Sequence, residues 1–202
     1  VFGWFDFKNT LNSENYSFDM NTSSIGSINF SSLRGVAYNG EFFALGETDN
    51  KNIYIWKGIP GLNDEPDYII QNPVGVGRID MNDEWLVVSA YPGAGSPVHV
   101  INLTNLDSGI MLPVPGNDDF PQGVSINEKG FFIALQGSNK VVGWSSVQDA
   151  LNGSSPTMSF GGTTNKTDSG TKMASTVHWD GFHLWVGEFK FSNRLLGFAP
   201  SK

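Results

Sequence analysis

Cysteine is absent from the 202-residue chain, which excludes a disulfide scaffold, a thiol nucleophile and thiolate metal ligation. A chain without cysteine suits any redox compartment, so the compartment stays open. Histidine is scarce: His99, His178 and His183 are the three, and no two share a metal-ligand spacing such as His-Glu-x-x-His. Also missing are a Gly-x-Ser-x-Gly nucleophile elbow and a phosphate-cradling Gly-x-x-x-x-Gly-Lys-Ser/Thr loop. No apolar run reaches the length of about 18 residues that a membrane span needs. The longest uncharged segment, Trp85 to Leu106, is broken by Ser89, Pro92, Gly93, Gly95, Ser96 and Pro97, so no membrane span is expected. Positive charge is in deficit, with 12 Lys and Arg against 20 Asp and Glu and a net charge of -8. That sign opposes counterion release from phosphates and argues against a nucleic-acid partner.

What is present is enough apolar matter for a core: 39% of the residues are hydrophobic, 13% aromatic and only 16% charged, a balance foreign to disordered chains. The length fits one domain, 1–202, of ordinary size or of small repeats. Solubility accounts for the acidic surplus, much of which falls in turns such as Asp64-Glu65-Pro66-Asp67 and Asn117-Asp118-Asp119. The chain opens at Val1 without Met and without a basic stretch leading into an apolar one. A removed leader, or membership of a longer polypeptide, is the expectation.

Four segments align. Tyr38, Met81, Ile126 and Trp179 mark equivalent points, spaced 43, 45 and 53 residues apart, near the period of a four-stranded propeller blade. Each unit reads strand, tight turn, strand, turn, strand. Asn39-Gly40, Asn82-Asp83 and Asp180-Gly181 supply turn residues tolerant of positive φ between apolar runs rich in Phe, Trp, Val, Ile and Tyr. Segments bridging the units, Asp67–Ile70, Ile110–Val114 and Thr157–Phe160, provide outer strands. The expected fold is all-β, a β-propeller of four recognisable four-stranded blades at 30–70, 74–114, 121–160 and 174–200. The opening strand 1–5 is placed to pair with the last blade and close the ring, removing an exposed edge. Helix is expected only as one turn at Ser146–Leu151, where Ser favours a helical start.

The stretch Asp49-Asn50-Lys51-Asn52-Ile53-Tyr54-Ile55-Trp56-Lys57-Gly58-Ile59-Pro60, followed by Asp67-Tyr68-Ile69-Ile70-Gln71, resembles NHL-like propeller repeats of bacterial and archaeal extracellular proteins. Leu184-Trp185-Val186-Gly187-Glu188-Phe189-Lys190-Phe191-Ser192-Asn193-Arg194 looks like the last repeat of such proteins. The resemblance implies the fold over nearly the whole chain and leaves activity open. Propellers of this family usually have six blades, so the chain is either a compact four-bladed ring or part of a six-bladed one.

Inner-strand alignment places Ala37, Asp80, Ser125 and His178 at one level of the channel, with Gly35, Arg78, Gly123 and Thr176 two residues earlier. Near the ends of the second strands the aligned set is Glu47, Ala90, Gln136 and Glu188. Read functionally, Asp80 and His178 face each other as an acid/base pair, and Glu47, Asp80 and Glu188 offer oxygens to a cation such as calcium. Read structurally, these are wet channel positions that tolerate polar side chains. His99 and His183 fall in strands beside aromatics, and the six Trp sit at strand positions as core residues.

Six Asn-x-Ser/Thr sequons, at Asn15, Asn21, Asn29, Asn102, Asn152 and Asn165, fall between the core strands, three of them in the opening loop 9–32. The reading that follows is a non-catalytic, N-glycosylated, extracellular or cell-surface binding or scaffold propeller. It meets a protein or glycan partner at a loop face, with self-association as a further option and no cofactor required. Two alternatives stand: a lactonase- or lyase-type enzyme with channel calcium, as the resemblance implies for some extracellular propellers, and an accessory domain of a larger polypeptide.

Overall fold

The computed structural model describes residues 23–91, 97–115, 120–162, 170–189 and 193–199, together with the backbone of 2–3 and 18–19. Strands β1 (Phe2–Gly3), β2 (Phe18–Asp19), β3 (Ser24–Ile25) and β4 (Ile28–Asn29) precede the blades. Blade 1 is built from β5 (Leu33–Tyr38), β6 (Phe42–Glu47), β7 (Asn52–Lys57) and β8 (Tyr68–Gln71). Blade 2 contains β9 (Val76–Met81), β10 (Trp85–Ala90), β11 (Val98–Asn102) and β12 (Asn105–Leu112). Blade 3 contains β13 (Pro121–Asn127), β14 (Gly130–Leu135), β15 (Lys140–Trp144), the short helix α1 (Val147–Leu151) and β16 (Met158–Gly161). In blade 4 the described strands are β17 (Ala174–Trp179), β18 (Leu184–Glu188) and β19 (Leu195–Phe198). Every sheet is an antiparallel meander, and the four stand in a ring with β5, β9, β13 and β17 innermost: a four-bladed β-propeller.

The pairing expected between the opening strand and the last blade is not seen among the described residues. Among the described residues β1 pairs with β2, Phe2 opposite Asp19 and Gly3 opposite Phe18, and β19 has no outer partner strand. Pairing with a near neighbour closes a shorter loop than pairing with the far end of the chain.

The blades stack through alternation. Leu86 and Val88 face blade 1 while Val87 faces blade 3; Phe131, Ile133 and Leu135 face blade 2 while Phe132 and Ala134 face blade 4. Both faces of such strands are buried, which is why they read as continuous apolar runs rather than as alternating ones. Blade 1 turns its remaining face, Phe43, Leu45, Tyr54 and Trp56, onto Ile25, Ile28 and Phe30 of the β3–β4 hairpin. Inner strands approach closely where a side chain is missing: a Cβ on Gly123 would lie 2.8 Å from the Thr176 Cα.

One device forms all four first hairpins. Asn39 Oδ1 accepts the N–H groups of Glu41 and Phe42 (3.0 and 2.8 Å), and Asn82 those of Glu84 and Trp85 (3.0 and 2.7 Å). Asn127 takes that of Lys129 (2.8 Å), and Asp180 those of Phe182 and His183 (2.7 and 2.6 Å). Positive φ occurs at Gly40 and Gly181 but not at Asp83, so the side-chain acceptor, rather than left-handed backbone, is the feature the turns share. Helix α1 begins as its sequence indicates, with Ser146 Oγ accepting the Asp149 N–H at 3.1 Å.

Candidate functional site

The channel brings Asp80 and His178 together. Both line a cavity of about 230 Å³ with Val36, Arg78, Gly123 and Thr176, so all four inner strands contribute to its wall. Asp80, however, is fully engaged by the framework. Its Oδ2 accepts the Ile126 N–H of the next blade at 2.9 Å and its Oδ1 accepts its neighbour Met81 N–H at 3.0 Å. Ser125, at the equivalent position, repeats the latch one blade further on: its Oγ accepts the Trp179 N–H at 3.1 Å. Burial raises the Asp80 pKa above its ordinary value, while these donors and the His178 ring pull the other way. Ala37 has no acceptor to offer blade 2, and there Asp80 itself caps the Met81 N–H.

Glu47 and Glu188 are not part of that cavity's lining. Glu47 is fully buried in blade 1. Its oxygens accept Ser31 N–H and O–H (both 2.7 Å), Asn50 Nδ2 (3.0 Å) and the Tyr54 hydroxyl (3.3 Å). Burial alone would raise its pKa; the donated hydrogen bonds outweigh it and hold the carboxyl below its ordinary value. The Glu188 side chain is enclosed in blade 4 and takes Arg194 through both oxygens, Nε to Oε2 at 2.8 Å and Nη2 to Oε1 at 2.9 Å. Glu47, Asp80 and Glu188 do not fit a shared calcium ion, since each carboxylate is already engaged by its own separate set of protein donors. Among the described residues no three Asp, Glu or His side chains converge as a metal site. The register also corrects the second-strand alignment. Glu47, Ala90 and Glu188 lie opposite Leu33, Val76 and Ala174, and the residue opposite Pro121 is Leu135, not Gln136.

His99 is buried and its Nδ1 lies 2.7 Å from Asn72 Oδ1. Because the Asn72 amide N–H₂ donates to Val74 O, its oxygen is the acceptor and Nδ1 of His99 carries the proton. His183 packs between Phe182 and Trp185 at the surface of blade 4. Of the sequons, Asn29 and Asn152 are exposed; Asn102 is half-buried at the end of β11 with its Oδ1 held by Thr104, inside a core strand rather than between strands. Asn15, Asn21 and Asn165 lie outside the described residues.

Sequence reasoning missed a second polar cavity on the ring axis. In every blade the inner strand carries one residue more than its partner. Arg34, Gln122 and Ser175 are the extra residues of β5, β13 and β17, and in β9 Gly77 and Arg78 together oppose Ser89. Bulges re-aim side chains, and these four lie at one level of the ring. Arg34, Arg78, Gln122 and Ser175 accordingly line a cavity of about 320 Å³, joined by Tyr91, Gln136 and Phe189 from just beyond the second strands and by Phe120. Arg78 also lines the channel cavity, so the second cavity is the channel's mouth. Arg34 lies flat on Tyr91, its Cζ 3.6 Å from the ring centroid, and Arg78 Nη1 donates to Arg34 O at 2.9 Å. Neither guanidinium has a carboxylate partner among the described residues, in a chain of net charge -8.

No protein-family model matches the chain, and no curated protein matches it. Solved structures do. The chain is similar to the computationally designed Ika4 protein, with a TM-score of 0.60 and 10% identity over 89% of this chain and 98% of Ika4. It is similar to the Myceliophteria thermophila Cps50 (Swd1) β-propeller domain, with a TM-score of 0.58 and 9% identity over 77% of this chain and 49% of that one. The WD40 propeller domain of Doa1 matches at a TM-score of 0.53 and 14% identity, over 77% and 48%. The chain thus spans nearly all of Ika4 and about half of the other two. At such identities the likeness establishes the fold, a β-propeller with WD40-like neighbours.

Proposed function

We propose that this propeller is a non-catalytic binding module of the extracellular space or cell surface, engaging a protein partner at the channel mouth. One observation carries the reading: two guanidinium groups, two glutamines and three aromatic rings converge on an open cavity, while the carboxylates that could do chemistry are consumed by the framework. An Arg- and aromatic-rich patch is the composition of interface hot spots. Kinship with NHL-like extracellular repeat proteins and N-glycosylation belong to the same reading, supported by the repeat resemblance and by the exposed Asn29 and Asn152.

The test is differential capture from native extracellular material, with wild-type bait against bait carrying Arg34→Gln and Arg78→Gln. A protein retained by the first and lost from the second supports the module; identical profiles, or glycans alone, refute the protein-binding reading. Intact mass of the native protein checks the other part, since absence of added hexose at every sequon removes the glycoprotein assignment.

A further inference from the structure

We infer that the mouth reads a carboxylate on its partner: the ligand is an acidic peptide segment whose Asp or Glu side chain sits between Arg34 and Arg78. The inference rests on the binding-module reading and names its ligand class. Each arginine is positioned before the ligand arrives. Stacking on Tyr91 holds the Arg34 guanidinium by its face, which leaves its edge N–H groups for a ligand. Arg78 spends one N–H on the Arg34 carbonyl, and that bond ties the two side chains to a common frame while four donors remain. A planar, immobilised fork is matched to the two coplanar oxygens of a carboxylate.

The rest of the cavity fits a peptide around that carboxylate. Gln136 donates through Nε2 to Ser175 Oγ at 2.8 Å, which fixes the amide and leaves its oxygen to accept a main-chain N–H. Ser175 is held in turn by the Met173 carbonyl at 3.1 Å. Tyr91, Phe120 and Phe189 provide apolar walls for the residues flanking the acid. Charge separation favours the same ligand. The chain as a whole carries a net charge of -8, so a pair of arginines without carboxylate partners among the described residues is a local exception that favours an anionic group and fixes its register.

The experiment is a random peptide display library panned on the intact chain, followed by synthesis of the winning peptides. The expected winners share an Asp or Glu. Its replacement by Asn or Gln, and the Arg34→Gln/Arg78→Gln variant, should each weaken binding about tenfold or more. Arg34→Lys/Arg78→Lys should restore less than half of the lost free energy, because a point charge cannot form the fork. Unchanged thermal midpoints of these exposed-site variants establish that binding, not folding, was altered. Winners without an acid that still lose affinity in a Tyr91→Ala variant overturn the carboxylate assignment and leave the binding mouth standing. Winners indifferent to Arg34, Arg78 and Tyr91, or no winners, overturn both. Tighter binding of the same peptide with phosphoserine replacing its acid assigns the mouth to phosphate and overturns the inference.

Discussion

Asp80→Ala tests whether the channel carboxylate is a latch or a reagent. The substitution removes the acceptor of two backbone N–H groups, that of Ile126 in the next blade and that of Met81, both in residues that are almost fully buried. A buried donor left without a partner costs about 1–3 kcal/mol. Deleting a desolvated carboxylate returns part of that, so the net loss is roughly 2–4 kcal/mol. For a chain of this size, each kcal/mol moves the melting temperature by about 2–4 °C, giving a fall of roughly 5–15 °C. Asp80→Asn keeps one acceptor oxygen and should lose about half as much. Urea unfolding of the three proteins, with m values compared, gives the numbers. The pH dependence carries a sign. A carboxyl raised in the folded state contributes stability that is complete below its unfolded value of 3.8 and is lost as pH climbs through the folded value. Asp80→Asn should therefore flatten the wild-type curve in that window. Asp80→Ala matching wild type within about 0.5 kcal/mol, the scatter of an ordinary surface substitution, would refute the latch.

Further outcomes follow from three single environments, those of Glu47, His99 and Gly109. Glu47→Ala should destabilise by about 3 kcal/mol or more, since it orphans the Ser31 donors and the Tyr54 hydroxyl at once; urea unfolding at neutral pH checks it. In wild type the lowered Glu47 pKa supplies stability that is present above its ordinary 4.5 and lost as pH falls through the folded value, a trend Glu47→Gln should abolish. His99, lowered by burial, gives stability that is present above 6.5 and declines below it, and His99→Gln should remove the decline from a pH series of melting curves. Gly109→Ala should cost about 1–3 kcal/mol, because its Cβ would fall 2.0 Å from His99 Nε2, and loss of the melting temperature reports it.

The period of the repeats was legible because it is imposed by backbone chemistry. Each first hairpin needs a short side-chain acceptor three or four residues ahead of the second strand, and Asn39, Asn82, Asn127 and Asp180 meet that need in turn. The apolar strands were legible too, because blades 1 to 3 bury both faces of their second strands, β6, β10 and β14. What could not be read was the partner of each polar group. Glu47 and Glu188 look alike in an alignment, yet one is filled by serine, asparagine and tyrosine donors and the other by Arg194. The pairing of β1 with β2 was hidden for a different reason: edge pairing is fixed by where a loop returns, and period carries no information about that.

The mouth escaped detection because a bulge shifts register by one residue, and a repeat alignment without bulges steps over it. Counting Ala37, Asp80, Ser125 and His178 as equivalent is correct, and three residues earlier on each strand stand Arg34, Gly77, Gln122 and Ser175. At the hairpin positions all four blades use the same chemistry; at the bulge positions they use four different residues. The side chains at these positions leave the strand pairing and meet at the channel mouth, where the hairpin requirement does not reach. Gly77 shows the limit of that freedom, since a Cβ there would lie 2.7 Å from Ser89 Oγ, and blade 2 reaches the mouth through Arg78 instead. In this ring, then, the uniform positions report what the backbone requires, and the divergent level is where the proposed binding site draws its side chains.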